Sequence, residues 1–135
     1  MNVFISYAKA DSQIAEKVAD GLKRSGFSVW YDAALLPGTL WSDAVSQALR
    51  KSDAMVVIVT PNAAQSEQIR SEINYALSSL AFKNRLIPVV VGPPEKVSKK
   101  DFPWILWEME MIRLPERGSQ ESGIRQIAQK LRKAA

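Results

Sequence analysis

This 135-residue chain contains neither cysteine nor histidine. That excludes Ser/His/Asp and Cys/His triads, thiolate metal sites, zinc sites and imidazole acid–base chemistry together. Any catalysis must run on carboxylates, hydroxyls, amines and backbone groups. One carboxylate stands apart from the rest. Apolar residues at Ile69, Ile73, Ala76, Leu77 and Leu80 predict a helix over Ser66 to Leu80. At about 100° per residue, Glu72 lies roughly 80° from the centre of that stripe, whereas Glu67 points nearly opposite it. Glu72 is therefore expected to be half sheltered, facing a crevice formed by the loops after the first and second strands. The plainer alternative is a boundary glutamate in a surface ion pair with Arg70 or Lys83.

The elements that would build such a crevice repeat one gesture. Val3-Phe4-Ile5 breaks at Ser6-Tyr7-Ala8-Lys9-Ala10-Asp11, Phe27 to Tyr31 runs into Leu36-Pro37-Gly38-Thr39-Leu40-Trp41, and Ala54 to Val59 runs into Thr60-Pro61-Asn62. An open parallel sheet presents ligand sites at the carboxyl edge of its strands in this way. Asp11 is placed to cap a first helix with Ile14, Ala15, Val18 and Leu22 on one stripe, and Gly26 to stop it. Leu40 to Lys51 carries Trp41, Ala44, Val45, Ala48 and Leu49 at helical spacing. The unbroken apolar run Ala54 to Val59 suggests a strand buried on both faces. Leu86 to Val91 reads as a fourth strand, restricted in its ladder bonds by Pro88, and Met111 to Leu114 as a short fifth strand at the sheet edge. Phe102 to Glu110 is irregular or briefly helical, and Ile124, Ile127, Ala128 and Leu131 define a last amphipathic helix. The alternation implies an α/β, flavodoxin-like, doubly wound parallel sheet of five strands, in a single domain over residues 1–135.

Composition narrows the function classes. The longest apolar runs are about six residues against the roughly 20 that span a bilayer, and no charged leader with an apolar core precedes the first strand, so a soluble, unexported protein is expected. The absence of cysteine makes a reducing cytoplasm the natural compartment. The net charge of +4 is spread over Lys83, Arg85, Lys96, Lys99, Lys100 and the last helix without interleaved aromatics. A basic solvated face explains that scatter, and neither nucleic acid nor membrane is an expected partner. No P-loop or dinucleotide fingerprint follows any strand. A receiver domain would need an aspartate where Thr60 ends the third strand.

An ordered series of short motifs carries a family resemblance. Phe4-Ile5-Ser6-Tyr7, Gly26-Phe27-x-Val29-Trp30-Tyr31-Asp32, Leu36-Pro37-Gly38-x-x-Trp41, Ala48-Leu49-x-x-Ser52 and Val57-x-Val59-Thr60-Pro61-Asn62 together resemble the Toll/interleukin-1 receptor (TIR) domain, in the style of its bacterial members. Each motif is unspecific alone, but their order and spacing fit from residue 2 to about 80. Ile87-Pro88-Val89-Val90 and the terminal helix agree with the rest of that topology.

The resemblance implies one of two activities. Some members of the family are non-catalytic adaptors that assemble through the loop after the second strand, here Leu35, Leu36, Pro37 and Gly38. Others cleave NAD+ between nicotinamide and ribose with a glutamate on the third helix, a position matched by Glu72. In those, the first-strand loop and an aromatic at the start of the second helix build the nicotinamide pocket, matched by Tyr7, Ala8, Lys9 and Trp41. Trp41 is equally readable as core beside Val45 and Leu49, and Asp32 as a loop cap. The implied product is ADP-ribose or a cyclic isomer, with NAD+ as substrate and no cofactor or metal. The implied partners are further TIR copies and a sensor domain or partner protein, in signalling or antiviral defence. Three positions differ from the catalytic pattern: Gln68 stands where many members have tryptophan, Ala8 where several have arginine, and Ala34 where some have an acidic residue.

Overall fold

The computed structural model describes residues 1–31, 41–79 and 85–134, and only the backbone of 41–43. Five strands, β1 (Asn2–Ser6), β2 (Ser28–Trp30), β3 (Ala54–Val59), β4 (Leu86–Val91) and β5 (Ile112–Leu114), form one sheet in the order β2-β1-β3-β4-β5. Every pairing is parallel. Side chains alternate across the sheet, so Val3, Ile5, Val56, Ile58 and Val89 enter one core, while Phe4, Met55, Val57, Val59 and Val90 enter the other. Helices α1 (Ser12–Arg24) and α6 (Glu121–Ala134) cover the first face. The second is covered by α2 (Trp41–Lys51), α3 (Pro61–Ala64), α4 (Glu67–Ser78) and α5 (Trp104–Glu108).

Local chemistry sets the boundaries. Helix α1 ends where Gly26, at φ 96°, bonds its N–H to the Lys23 carbonyl while the Phe27 N–H bonds to the Leu22 carbonyl. This paired closure needs a left-handed residue, which glycine supplies without steric cost. Strand β2 is shorter than the sequence suggests, since it lies at the edge and meets only β1.

Proline in the interior strand β4 is accommodated by register. Arg85 turns its carbonyl toward Met55 of β3, so by alternation Pro88 turns its missing N–H the other way. On that side β5 pairs only from Val89 onward, so Pro88 leaves no ladder bond unmade.

Two details differ from expectation. Thr60-Pro61-Asn62 is not simply a loop: Thr60 caps α3 by accepting the Ala63 N–H on its hydroxyl, and Pro61 sits in the first turn, where its lack of N–H is harmless. Asp11 stands before α1 but makes no side-chain cap, because its carboxylate is engaged elsewhere.

Candidate active site

The sheet order places a topological switch point between β1 and β3, where flavodoxin-like sheets open a crevice at their carboxyl ends. Ser6, the last residue of β1, pairs in register with Val57 and lies on the Phe4 face, toward α4. Its Oγ donates a 2.6 Å hydrogen bond to Glu72 Oε1. Gln68, one turn earlier on α4, donates from Nε2 to Glu72 Oε2 at 3.0 Å. Ser66 anchors this helix by accepting the Ile69 N–H on its hydroxyl.

Glu72 is buried, at 6% exposure, and not half sheltered as the helical wheel suggests. The buried positions of α4 are Ile69, Glu72, Ile73 and Ala76, spaced i, i+3, i+4, i+7, so Glu72 belongs to the packed stripe itself. Burying a carboxylate is costly unless it is hydrogen-bonded, and Ser6, itself 1% exposed, supplies a donor from the neighbouring strand.

A second polar cluster lies at the same edge of the sheet. Thr60 Oγ1 donates to Asp11 Oδ2 at 2.5 Å, and Asn62 Nδ2 donates to Asp11 Oδ1 at 3.0 Å. Thr60 thus uses its proton toward Asp11 and a lone pair toward Ala63. The segment after β1 is thereby tied to the segment after β3, across the switch point.

The residues singled out in the sequence divide between places. Tyr7 is 8% exposed, packs in the α1–α6 core and approaches Tyr31 with ring centroids 6.3 Å apart, on the opposite face from Ser6 and Glu72. Ala8 packs against the core that surrounds α4, and Lys9 is exposed at the start of a short 3-10 turn. Trp41 opens α2, but its side chain and the residues Leu35, Leu36, Pro37 and Gly38 lie outside the described residues.

Sequence reasoning missed Ser6, Asp11 and Thr60 as parts of the site, and marked Gln68 only as a departure from the catalytic pattern without foreseeing its bond to Glu72. Two signals pointed to them. The alternation that sends Phe4 toward α4 sends Ser6 there as well, and Gln68 stands four residues before Glu72, the spacing at which helical side chains meet. No such local signal joins Asp11 to Thr60, 49 positions away.

Comparison with known proteins agrees with this architecture. The family model described as TIR domain matches residues 3–128, and the chain belongs to that family. It is 32% identical over 95 residues to the stimulator of interferon genes protein of Magallana gigas, covering 67% of this chain and 23% of that one. The structure of a metazoan TIR-STING receptor from C. gigas in complex with 2',3'-cGAMP superposes with a TM-score of 0.76 at 27% identity, over 96% of this chain and 38% of that one. This chain thus spans well under half of these relatives. The TIR domains of the activated Roq1 resistosome that directly recognises the pathogen effector XopQ share the fold, with a TM-score of 0.74 at 17% identity over 96% of this chain and 98% of that one.

Proposed function

We propose that this TIR domain is an NAD+ glycohydrolase with Glu72 as its catalytic carboxylate. The observation that carries this reading is the buried Glu72, held by Ser6 at the β1/β3 switch point. A carboxylate fixed in a sheltered site is preorganised to stabilise positive charge, and its effect grows as that charge develops.

The reaction suits a chain without histidine. The bond from the ribose anomeric carbon to the nicotinamide nitrogen breaks, and its electron pair stays with nitrogen. The pyridinium cation thereby leaves as neutral nicotinamide and needs no proton. Glu72 accepts hydrogen bonds from the ribose hydroxyls and stabilises the ribosyl cation. Water adds to the anomeric carbon and releases a proton, giving ADP-ribose; attack by the adenine of the same molecule gives a cyclic isomer. Ala8, Lys9 and Trp41 are proposed to contact the substrate at the crevice mouth. Tyr7, packed in the opposite core, would support the loop from behind.

Self-association through Leu35, Leu36, Pro37 and Gly38 is proposed to complete the site, in a reducing cytoplasm and under the control of a sensor domain or partner. Among the described residues no helix is long and apolar enough to cross a membrane. One observation favours a non-catalytic interaction module instead: Trp104 and Ile105 on α5 are large apolar side chains that are 74% and 38% exposed.

The deciding experiment incubates the purified chain at high concentration with NAD+ and follows nicotinamide release. Glu72→Gln should lower turnover by at least about 10²-fold while circular dichroism shows an intact fold. Unchanged release from the folded variant would remove Glu72 from the chemistry. Leu36→Asp should abolish both concentration-dependent activity and self-association by light scattering, and full activity in a strictly monomeric sample would sever that coupling.

A further inference from the structure

We infer that the Gln68 side-chain amide is a displaceable stand-in for a ribose hydroxyl, occupying Glu72 Oε2 until substrate arrives. This inference rests on the glycohydrolase reading above. The two donors to Glu72 among the described residues differ in kind. Ser6 is fixed at the end of β1, an interior strand, and is 1% exposed, and its bond to Oε1 is 2.6 Å. Gln68 reaches Oε2 from the same helix as Glu72, at 3.0 Å, on a flexible side chain that is only partly buried. A hydroxyl entering from solvent meets the partly buried donor before the buried one. A side chain with three rotatable bonds can swing out toward solvent without disturbing the sheet, whereas the Ser6 hydroxyl is buried on a short side chain that cannot reach solvent by rotating.

Exchange of an N–H donor for an O–H donor keeps Oε2 satisfied throughout, so substrate capture never strands the buried carboxylate. Gln68 is on this account a positioning residue. It keeps Glu72 aligned in the empty site and competes with substrate for the same lone pair.

Kinetics and a side-chain resonance together test this. Gln68→Met preserves length and helix propensity while deleting the donor. It should lower KM for NAD+ by about three- to tenfold, the worth of one competing hydrogen bond, with kcat within about twofold of the parent. A residue that merely holds Glu72 in place would instead lower kcat at unchanged or raised KM, and that outcome overturns the inference. In the 15N-labelled parent, the Gln68 side-chain amide should be protected from exchange without ligand and become solvent-like at saturating NAD+. An amide that neither shifts nor loses protection overturns it as well. A parent that shows the amide transition but releases no nicotinamide supports the displacement and defeats the glycohydrolase reading, so the two failures are distinguishable.

Discussion

The two faces of the sheet bury polar groups in different ways. On the α1–α6 face, the buried Gln120 spends its amide on the Pro115 carbonyl, a tie within one turn of chain. The α2–α4 face has a similar local tie, Ser52 to the Ala48 carbonyl at 2.6 Å. It also holds a bond of another order, since Ser6 and Glu72 meet side chain to side chain across 66 positions. Local ties satisfy backbone groups that a turn leaves over. The Ser6–Glu72 pair satisfies nothing the backbone needs, and apolar side chains could fill the same space. A fold that buries a carboxylate against an interior strand accepts a desolvation cost that packing does not require. Among the described residues, the first face coheres by packing and local ties, while the second also buries a long-range polar pair.

The largest effect should come from the cohesive face. Leu22, fully buried between α1 and the sheet, loses packing and leaves a cavity when cut to alanine, at a cost of about 2–5 kcal/mol. Denaturant unfolding should register that loss while activity per folded molecule stays near the parent value. A large fall in specific activity would mean that the two faces are not separable.

Ser6→Ala comes next and strikes the other face. Removing the donor deletes one buried hydrogen bond to Glu72, costing about 1–3 kcal/mol, and kcat should fall about tenfold because the carboxylate loses its anchor on β1. Unfolding curves beside nicotinamide release separate the two effects. An unchanged kcat would reduce Ser6 to a packing residue.

Thr60→Val should cost less, about 1–2 kcal/mol, since it removes the α3 cap and the bond to Asp11 while conserving shape. The expected signature is faster hydrogen exchange confined to Lys9–Asp11 and to residues 62–64. Uniform loss of protection over the whole sheet would contradict the role of this cluster as a local fastening.

The smallest effect on stability should come from the double variant Ser6→Ala with Glu72→Leu. Replacing both partners of a buried polar pair by apolar groups is close to neutral or mildly stabilising. Activity should be absent. If the double variant is instead as unstable as Ser6→Ala, the pair contributes to cohesion after all, and the contrast between the faces weakens.

Much of the frame was legible in the chain. The unbroken run of β3 and the strand β4 fall at the expected residues, Ala54–Val59 and Leu86–Val91, because burial on both faces demands continuous apolar sequence. Gly26 marked the end of α1 through its backbone freedom. The amphipathic stripes of α1 and α6 followed from 3.6-residue periodicity. All of these are local demands of the backbone and of one helix or strand face, so local sequence encodes them.

Tertiary structure decided which polar groups meet at the carboxyl edge of the sheet. Glu72 looked like a shoulder residue because a helical wheel knows only its own helix. Its burial depends on β1 ending against α4 with a hydroxyl in register. Asp11 looked like a helix cap for the same reason, and became a fastener only because strand order brings Thr60 and Asn62 beside it. Tyr7 and Ser6 are adjacent in sequence yet enter opposite cores, since a strand sends neighbouring side chains to opposite faces. Periodicity specifies which face of an element is buried. What that face meets is set by the order of strands in the sheet, a long-range arrangement that no single stretch of residues contains.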